Sequence, residues 1–325
     1  MRKLIRKATG LTVGVATLLA GLVLPMTASA ESASPIDASP IIHYSFDNAL
    51  TSKTIANEGS AANSDATLSG DATVANGQIN LTGSQTISVP TTAIAGKKDV
   101  TVSIWLKNNY GNGNTAAAYI GAAKTGNYPA NGYWLLNPAN PSGYAKSVMT
   151  NATAADPNNS PWGTEVGPGS TNAATIGTKA TSDLALYTTV ISGTNSTMSF
   201  YLNGKQVGDA TYTIPAGGLT NYGDLVAYIG KSSYADPNSK LDVDDYAVYD
   251  TAISAADVTK LYDAQVLDKA EAAVKAAVPA SATEDFALPT SAAGVSIAWK
   301  SGNAAIAVDN ATGKATVCLL YTSPS

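Results

Sequence analysis

A chain of 325 residues, 45% hydrophobic and only 13% charged, has room for one large domain with a sizeable core and a smaller one beside it. Both arginines, Arg2 and Arg6, lie at the very start; beyond residue 30, twenty-four acids face fifteen lysines, a formal charge of −9. That balance disfavours nucleic acid and anionic membranes as partners, and the lack of guanidinium groups speaks against a phosphate or sialic-acid site.

Taken in order, the chain opens with Arg2, Lys3, Arg6 and Lys7, then the apolar run 11–24, then Ala28-Ser29-Ala30. This is the pattern of a secretory signal peptide cut after Ala30, and its apolar run is too short to span a bilayer comfortably. The expected location is therefore extracellular or at the cell surface, without membrane insertion. Residues 31–40 form a Ser/Pro/Ala leader. From Ile41 the pattern becomes β-rich: Ile42, Tyr44 and Phe46 alternate with polar neighbours, and strands are expected over 78–81, 86–89 and 100–107, separated by Gly, Asn and Ser clusters. Strands at this spacing, with almost no helical period, predict an all-β, two-sheet antiparallel sandwich.

Residues 108–182 are rich in Asn, Gly, Ala and Pro and carry Tyr110, Tyr128, Tyr133, Trp134, Tyr144 and Trp162; they read as long functional loops. Alternation restarts at Leu184, Leu186, Thr188 and Val190. It continues through Met198, Phe200 and Leu202 into Asn203-Gly204, a two-residue type I′ hairpin signal. A further strand is expected over 225–230.

In the stretch 241–262, parity puts Tyr246 and Val248 on one face, with Val243, Ala247 and Tyr249 on the other. Asp244 shares the parity of Tyr246 and Val248. A carboxylate on an apolar face needs a partner; a solvated sheet rim and a metal or hydrogen-bond anchor both fit. Ser254 followed by Asp257 caps a short helix with Val258, Leu261 and Tyr262 on one side. A connecting helix follows over 264–279, stopped by Pro279, and then a short β module over 280–317. The last eight residues, CLLYTSPS, break the pattern and resemble the translation of a sequencing-library adapter. The expectation is that the natural protein continues beyond Val317 and that Cys318 is not native. Without cysteine, the fold relies on its core rather than on disulfides.

Four stretches in the right order carry a resemblance: IHYSFD (42–47), VTVSIWLK (100–107), FYLNGKQV (200–207) and LDVDDYAVYD (241–250). Together they resemble the LamG-like jellyroll of the concanavalin A-like lectin/glucanase family, over 41–263. Residues 280–317, with L-P-T, the I-x-W-x-S around Trp299 and D-x-x-T-G-x-x-T-V, resemble the start of an atypical bacterial immunoglobulin-like module, about 35 of the roughly 100 residues such a sandwich needs. The resemblance implies a secreted, non-catalytic, carbohydrate-binding accessory part of a bacterial glycoside hydrolase of arabinosidase or xylosidase type, cut before its catalytic domain. Its partner would be a plant or host polysaccharide, and the chain a monomer. The alternative is a surface adhesin or spacer built on the same sandwich. The resemblance also implies a structural calcium, for which Asp47 and Asp244 are the matching positions; calcium takes six to eight oxygens, so carbonyls or water must complete the set.

Catalysis finds little support among the residues present. His43 is the only histidine, which excludes Ser-His-Asp and Cys-His arrangements and multi-His zinc sites. Glucanases of this fold class place their acids as E-x-D-x-(x)-E, and none of Glu31, Glu58, Glu165, Glu271 and Glu284 belongs to such a motif. Sugar binding needs less: an exposed ring for the C–H face of a pyranose or furanose, and polar groups for its hydroxyls. Trp162, set among Pro, Gly and Asn, is the leading candidate, with Tyr128 and Tyr133 behind it; a loop anchor is the other reading of Trp162. Trp105 and Trp134, with apolar neighbours, are expected in the core.

Overall fold

The computed structural model describes residues 12–17, 36–125, 128–129, 132–150, 161–170, 173–175, 177–208, 211–279, 282, 284–301 and 305–317. They belong to two units, one over Ser34–Tyr262 and one drawn from the two ends of the chain.

The larger unit is an antiparallel sandwich. One sheet has eight strands, in the order Glu165–Val166, Lys146–Thr150, Tyr133–Asn137, Ala118–Ala122, Leu225–Ile229, Thr86–Val89, Ala66–Ser69, Thr54–Ile55. The other has nine and is centred on Asp99–Asn108, flanked by Ala185–Ser192 and Lys240–Tyr249. Ile120, Trp134, Leu136, Ala227 and Ile229 from the first sheet meet Val102, Ile104, Leu106, Tyr187, Phe200 and Val248 from the second in one core. As expected, Trp134 is fully buried in that core, its indole N–H donating to Ser147 Oγ at 3.1 Å. Trp105 is also fully buried, stacked on Tyr262 with ring centroids 5.9 Å apart.

The stretch expected to be loops contributes four strands of the eight-stranded sheet. Its alternation is hidden because both faces are covered: Ala118–Ala122 and Tyr133–Asn137 are buried at every position. Ile120, Trp134 and Leu136 point into the main core, while Tyr119, Tyr133 and Leu135 join a second cluster with Val148 on the outer face. Close strand pairing also selects small residues. A β-carbon on Gly121 would lie 2.6 Å from Tyr133 Cβ and 2.7 Å from the Gly132 carbonyl oxygen.

A bulge corrects the parity expected for the stretch around Asp244. Pairing of Lys240–Tyr249 with Asp99–Asn108 slips between Asp244 and Ala247, and Asp245 takes a left-handed φ of 42°. One extra residue reverses the phase. Val243 therefore lies in the main core together with Tyr246 and Val248, while Ala247 and Tyr249 join an outer cluster with Val258 and Leu261. Asp244 pairs opposite Trp105, one step out of phase with Val243, rather than on the face of Tyr246.

Asn203-Gly204 forms the expected type I′ turn, with φ of 52° and 71°, between Leu202 and Lys205. The two helices expected after residue 254 are one, Ala255–Ala277, since no glycine or proline interrupts that run. Ser254 caps it: its Oγ accepts from the Asp257 backbone N–H at 3.1 Å and donates to Asp257 Oδ2 at 2.8 Å.

In the smaller unit, Phe286–Ala287, Lys314–Val317 and Ile306–Asp309 form one small sheet; Ser291–Ala292 and Val295–Lys300 form another, with Thr12–Thr17 in parallel alongside. Trp299 is buried there, its indole N–H donating to the Pro289 carbonyl at 2.7 Å. Residues 1–11, 18–35 and 318–325 lie outside the described residues.

Candidate functional site

The outer face of the eight-stranded sheet carries a cleft of about 450 Å³. Strands supply Tyr133, Leu135, Asn137 and Lys146; the turn Pro161–Thr164 and the strand after it supply Trp162 and Glu165; the loop 230–239 supplies Tyr234 and Asp236. A continuous aromatic chain runs through it. Tyr119 and Tyr133 have ring centroids 5.7 Å apart, Tyr133 meets Tyr234 edge-on at 5.5 Å, and Tyr234 meets Trp162 at 5.8 Å with planes inclined by 62°. Tyr133 is 1% exposed and Trp162 is 37% exposed, so the chain climbs from a buried floor to an open rim.

Charge is arranged around the same residues. Glu165 is buried; its Oε1 accepts from the Tyr133 hydroxyl at 2.7 Å and its Oε2 from Lys146 Nζ at 2.8 Å. Burial, reinforced by the Glu165 charge, pushes the Tyr133 phenol well above its ordinary value, which keeps it protonated as a donor. Desolvation raises the Asp236 carboxyl, and Lys146 pulls the other way. Two asparagines on the wall are loop anchors. Asn137 donates to the Gly113 carbonyl at 2.7 Å and accepts from the Ala139 N–H at 3.0 Å. Asn140 donates to the Ala174 carbonyl at 2.7 Å and accepts from the Ser142 and Tyr144 N–H groups at 3.0 Å.

Of the three sugar candidates named from sequence, Trp162 and Tyr133 both line the cleft. Tyr133 does so from a buried strand rather than from a loop. Tyr128 sits in the two-residue strand Tyr128–Pro129, and its side chain lies outside the described residues. The sequence reasoning missed Lys146, Glu165, Tyr234 and Asp236. Strand pairing sets Glu165 opposite Thr150, four residues along the strand from Lys146, and the two long side chains close the remaining gap, so no linear motif links positions 146 and 165.

The structure does bring Asp47 and Asp244 together. Asp47 Oδ1 and Asp244 Oδ2 lie 3.2 and 3.9 Å from the point that a β-carbon on Gly77 would occupy, and Asp244 is 2% exposed. Left-handed backbone at Phe46 (φ 58°), Asp245 (φ 42°) and Gly77 (φ 72°) surrounds the pair. Among the described residues no cluster of three or more His, Cys, Asp or Glu forms a metal site. His43 is half-buried and hydrogen-bonded: its Nε2 is 2.9 Å from Asp245 Oδ1, and its Nδ1 is 3.6 Å from Glu58 Oε2.

The fold is thus a jellyroll sandwich with an aromatic, acidic cleft on the outer face of one sheet. Residues 81–259 match the concanavalin A-like lectin/glucanases superfamily, and the chain belongs to it. No curated protein matches. Similar solved structures include domain 4 of a GH43 extracellular arabinanase from Geobacillus stearothermophilus, in complex with arabinotriose: 20% identity, 69% of this chain, 98% of that one, TM-score 0.47. The receptor-binding domain of botulinum neurotoxin mosaic serotype C/D is 18% identical over 71% of this chain and 52% of its own, TM-score 0.46. A Trypanosoma rangeli sialidase is 12% identical over 70% and 33%, TM-score 0.45.

Proposed function

We propose that the outer-face cleft binds a glycan and that the sandwich is a non-catalytic accessory domain of a secreted glycoside hydrolase. The observation that carries this reading is Trp162, the most exposed large aromatic of the sandwich among the described residues, which stands at the rim of a tyrosine-floored cleft. An indole in that position offers a flat apolar face to sugar C–H groups, and Asp236 and the neighbouring hydroxyls suit sugar O–H groups. The state of the acids supports the non-catalytic reading. Glycoside hydrolysis needs two carboxyl groups facing one bond, and Glu165 is buried with both oxygens engaged.

The test is calorimetric titration of the whole chain with arabino-, xylo- and β-gluco-oligosaccharides, and of its Trp162→Ala and Trp162→Tyr variants. Loss of the stacking ring removes about 1–3 kcal/mol, roughly ten- to a hundredfold in affinity, and the tyrosine variant regains part of it. Equal binding by all three proteins would place the ligand elsewhere. Failure to bind any glycan would leave the spacer alternative standing.

The convergence of Asp47 and Asp244 at a glycine also supports a structural calcium, held by these two carboxylates with neighbouring carbonyls. A buried acid such as Asp244 gains most from a compensating cation. Chelation should then lower the melting temperature of the wild type and leave that of Asp244→Asn unchanged; identical responses would remove the metal from the reading.

A further inference from the structure

Among the described residues, three charged side chains line the cleft: Lys146, Glu165 and Asp236. Their roles are unequal. Lys146, whose side chain is 15% exposed, has its ammonium 2.8 Å from Glu165 Oε2, and Glu165 is fixed from the other side by the Tyr133 hydroxyl at 2.7 Å. Turning Lys146 toward a ligand would leave a buried carboxylate without its cation, a costly state. Asp236 stands in the exposed stretch 235–237 of the otherwise buried or half-buried loop 230–239, and among the described residues no lysine or histidine comes within 4.0 Å of its carboxylate. No arginine follows Arg6 in the chain to serve as a substitute.

We infer that Asp236 sets the ligand class of this cleft: it admits uncharged, hydroxyl-rich sugar chains and rejects those bearing uronate, sialate or sulfate groups. The inference rests on the glycan-binding reading and adds a residue-level selectivity to it. An ionised carboxylate has acceptors only, so it takes hydrogen bonds from sugar hydroxyls and finds no donor on a ligand carboxylate or sulfate. Like charges a few ångströms apart at a half-solvated rim add repulsion of about tenfold in affinity. Lys146, the cation near it among the described residues, is paired at 2.8 Å with Glu165, whose negative charge cancels most of the offset Lys146 gives Asp236. Trp162 supplies affinity without regard to charge; Asp236 supplies the discrimination.

The experiment compares the whole chain and its Asp236→Asn variant in titrations at pH 7 and low salt, with neutral arabino-, xylo- and gluco-oligosaccharides and with oligogalacturonides of matched length. The expected result is that the wild type binds a neutral oligosaccharide and binds oligogalacturonide at least about tenfold more weakly. The asparagine variant, with an unchanged melting curve, should narrow that gap to two- or threefold, as should 0.5 M salt with the wild type. Equal affinity of the wild type for both classes, or a gap that survives Asp236→Asn, overturns the selectivity while the glycan-binding reading stands. Failure of both classes to bind overturns the glycan-binding reading and this inference with it.

Discussion

Glu165 and Lys146 show how a single pair can organise a surface. The carboxylate is buried, so its stability depends on the Lys146 ammonium at 2.8 Å and the Tyr133 hydroxyl at 2.7 Å. Lys146→Ala is expected to cost about 3 kcal/mol in a urea titration, because it strands a buried charge, and Lys146→Met combined with Glu165→Leu should recover most of that loss. Asp99 provides a pH-dependent case. Burial alone would raise its carboxyl, but hydrogen bonds from the Thr194 hydroxyl (2.7 Å), the Thr194 N–H (3.0 Å) and the Ser192 hydroxyl (3.0 Å) hold it below the ordinary 3.8. A depressed folded-state value stabilises the protein fully above 3.8 and loses that stability as pH falls through the folded value. Asp99→Asn should therefore lower the melting temperature at pH 7 and flatten its decline between about pH 4 and pH 2; parallel curves for the two proteins would refute this.

At the scale of elements, what the sequence reveals depends on how many faces a strand covers. Strands with one solvated or differently packed face, such as Thr197–Leu202 and Gln78–Thr82, show their period, and the turn Asn203-Gly204 announces itself by chemistry. Ala118–Ala122 and Tyr133–Asn137 do not, because the second aromatic cluster buries the face that would otherwise be polar. The Asp244–Asp245 bulge was equally illegible, since a strand period carries no mark of where one residue is inserted. Trp162 could be singled out by its Pro/Gly/Asn surroundings, whereas Lys146, Glu165 and Asp236 became neighbours only through pairing and loop placement. Close packing of these strands makes a sharp prediction. Gly121→Ala puts a methyl group 2.6 Å from Tyr133 Cβ, so it should force Ala118–Ala122 and Tyr133–Asn137 apart. The expected cost is about 2 kcal/mol or more in stability, with weakened glycan binding in the same protein because Tyr133 floors the cleft. A fully stable variant would show that the strands separate without cost.

At the scale of the molecule, the division into a sandwich over Ser34–Tyr262 and a smaller β unit predicts separable behaviour. The sandwich has its own contiguous core and should retain its folding transition when expressed as 34–262. Differential scanning calorimetry of this fragment beside the whole chain checks it: a cooperative transition at a similar temperature is expected, and a fragment without one would show that the sandwich depends on the smaller unit. The acidic, arginine-free composition beyond residue 30 acts at the same scale, lowering affinity for polyanions wherever they meet the surface.

The contrast among the tryptophans has an optical consequence. Trp105, Trp134 and Trp299 are buried, and Trp162 alone of the four is exposed, beside Tyr234 at the rim. Dissolved quenchers such as acrylamide should therefore extinguish one spectral component, the red-shifted emission of Trp162, and spare the blue-shifted remainder. A saccharide seated on that indole would shield it and shift its emission. The chain thus carries its own unlabelled reporter of cleft occupancy, and Trp162→Phe should abolish the quenchable component and leave the other emission in place.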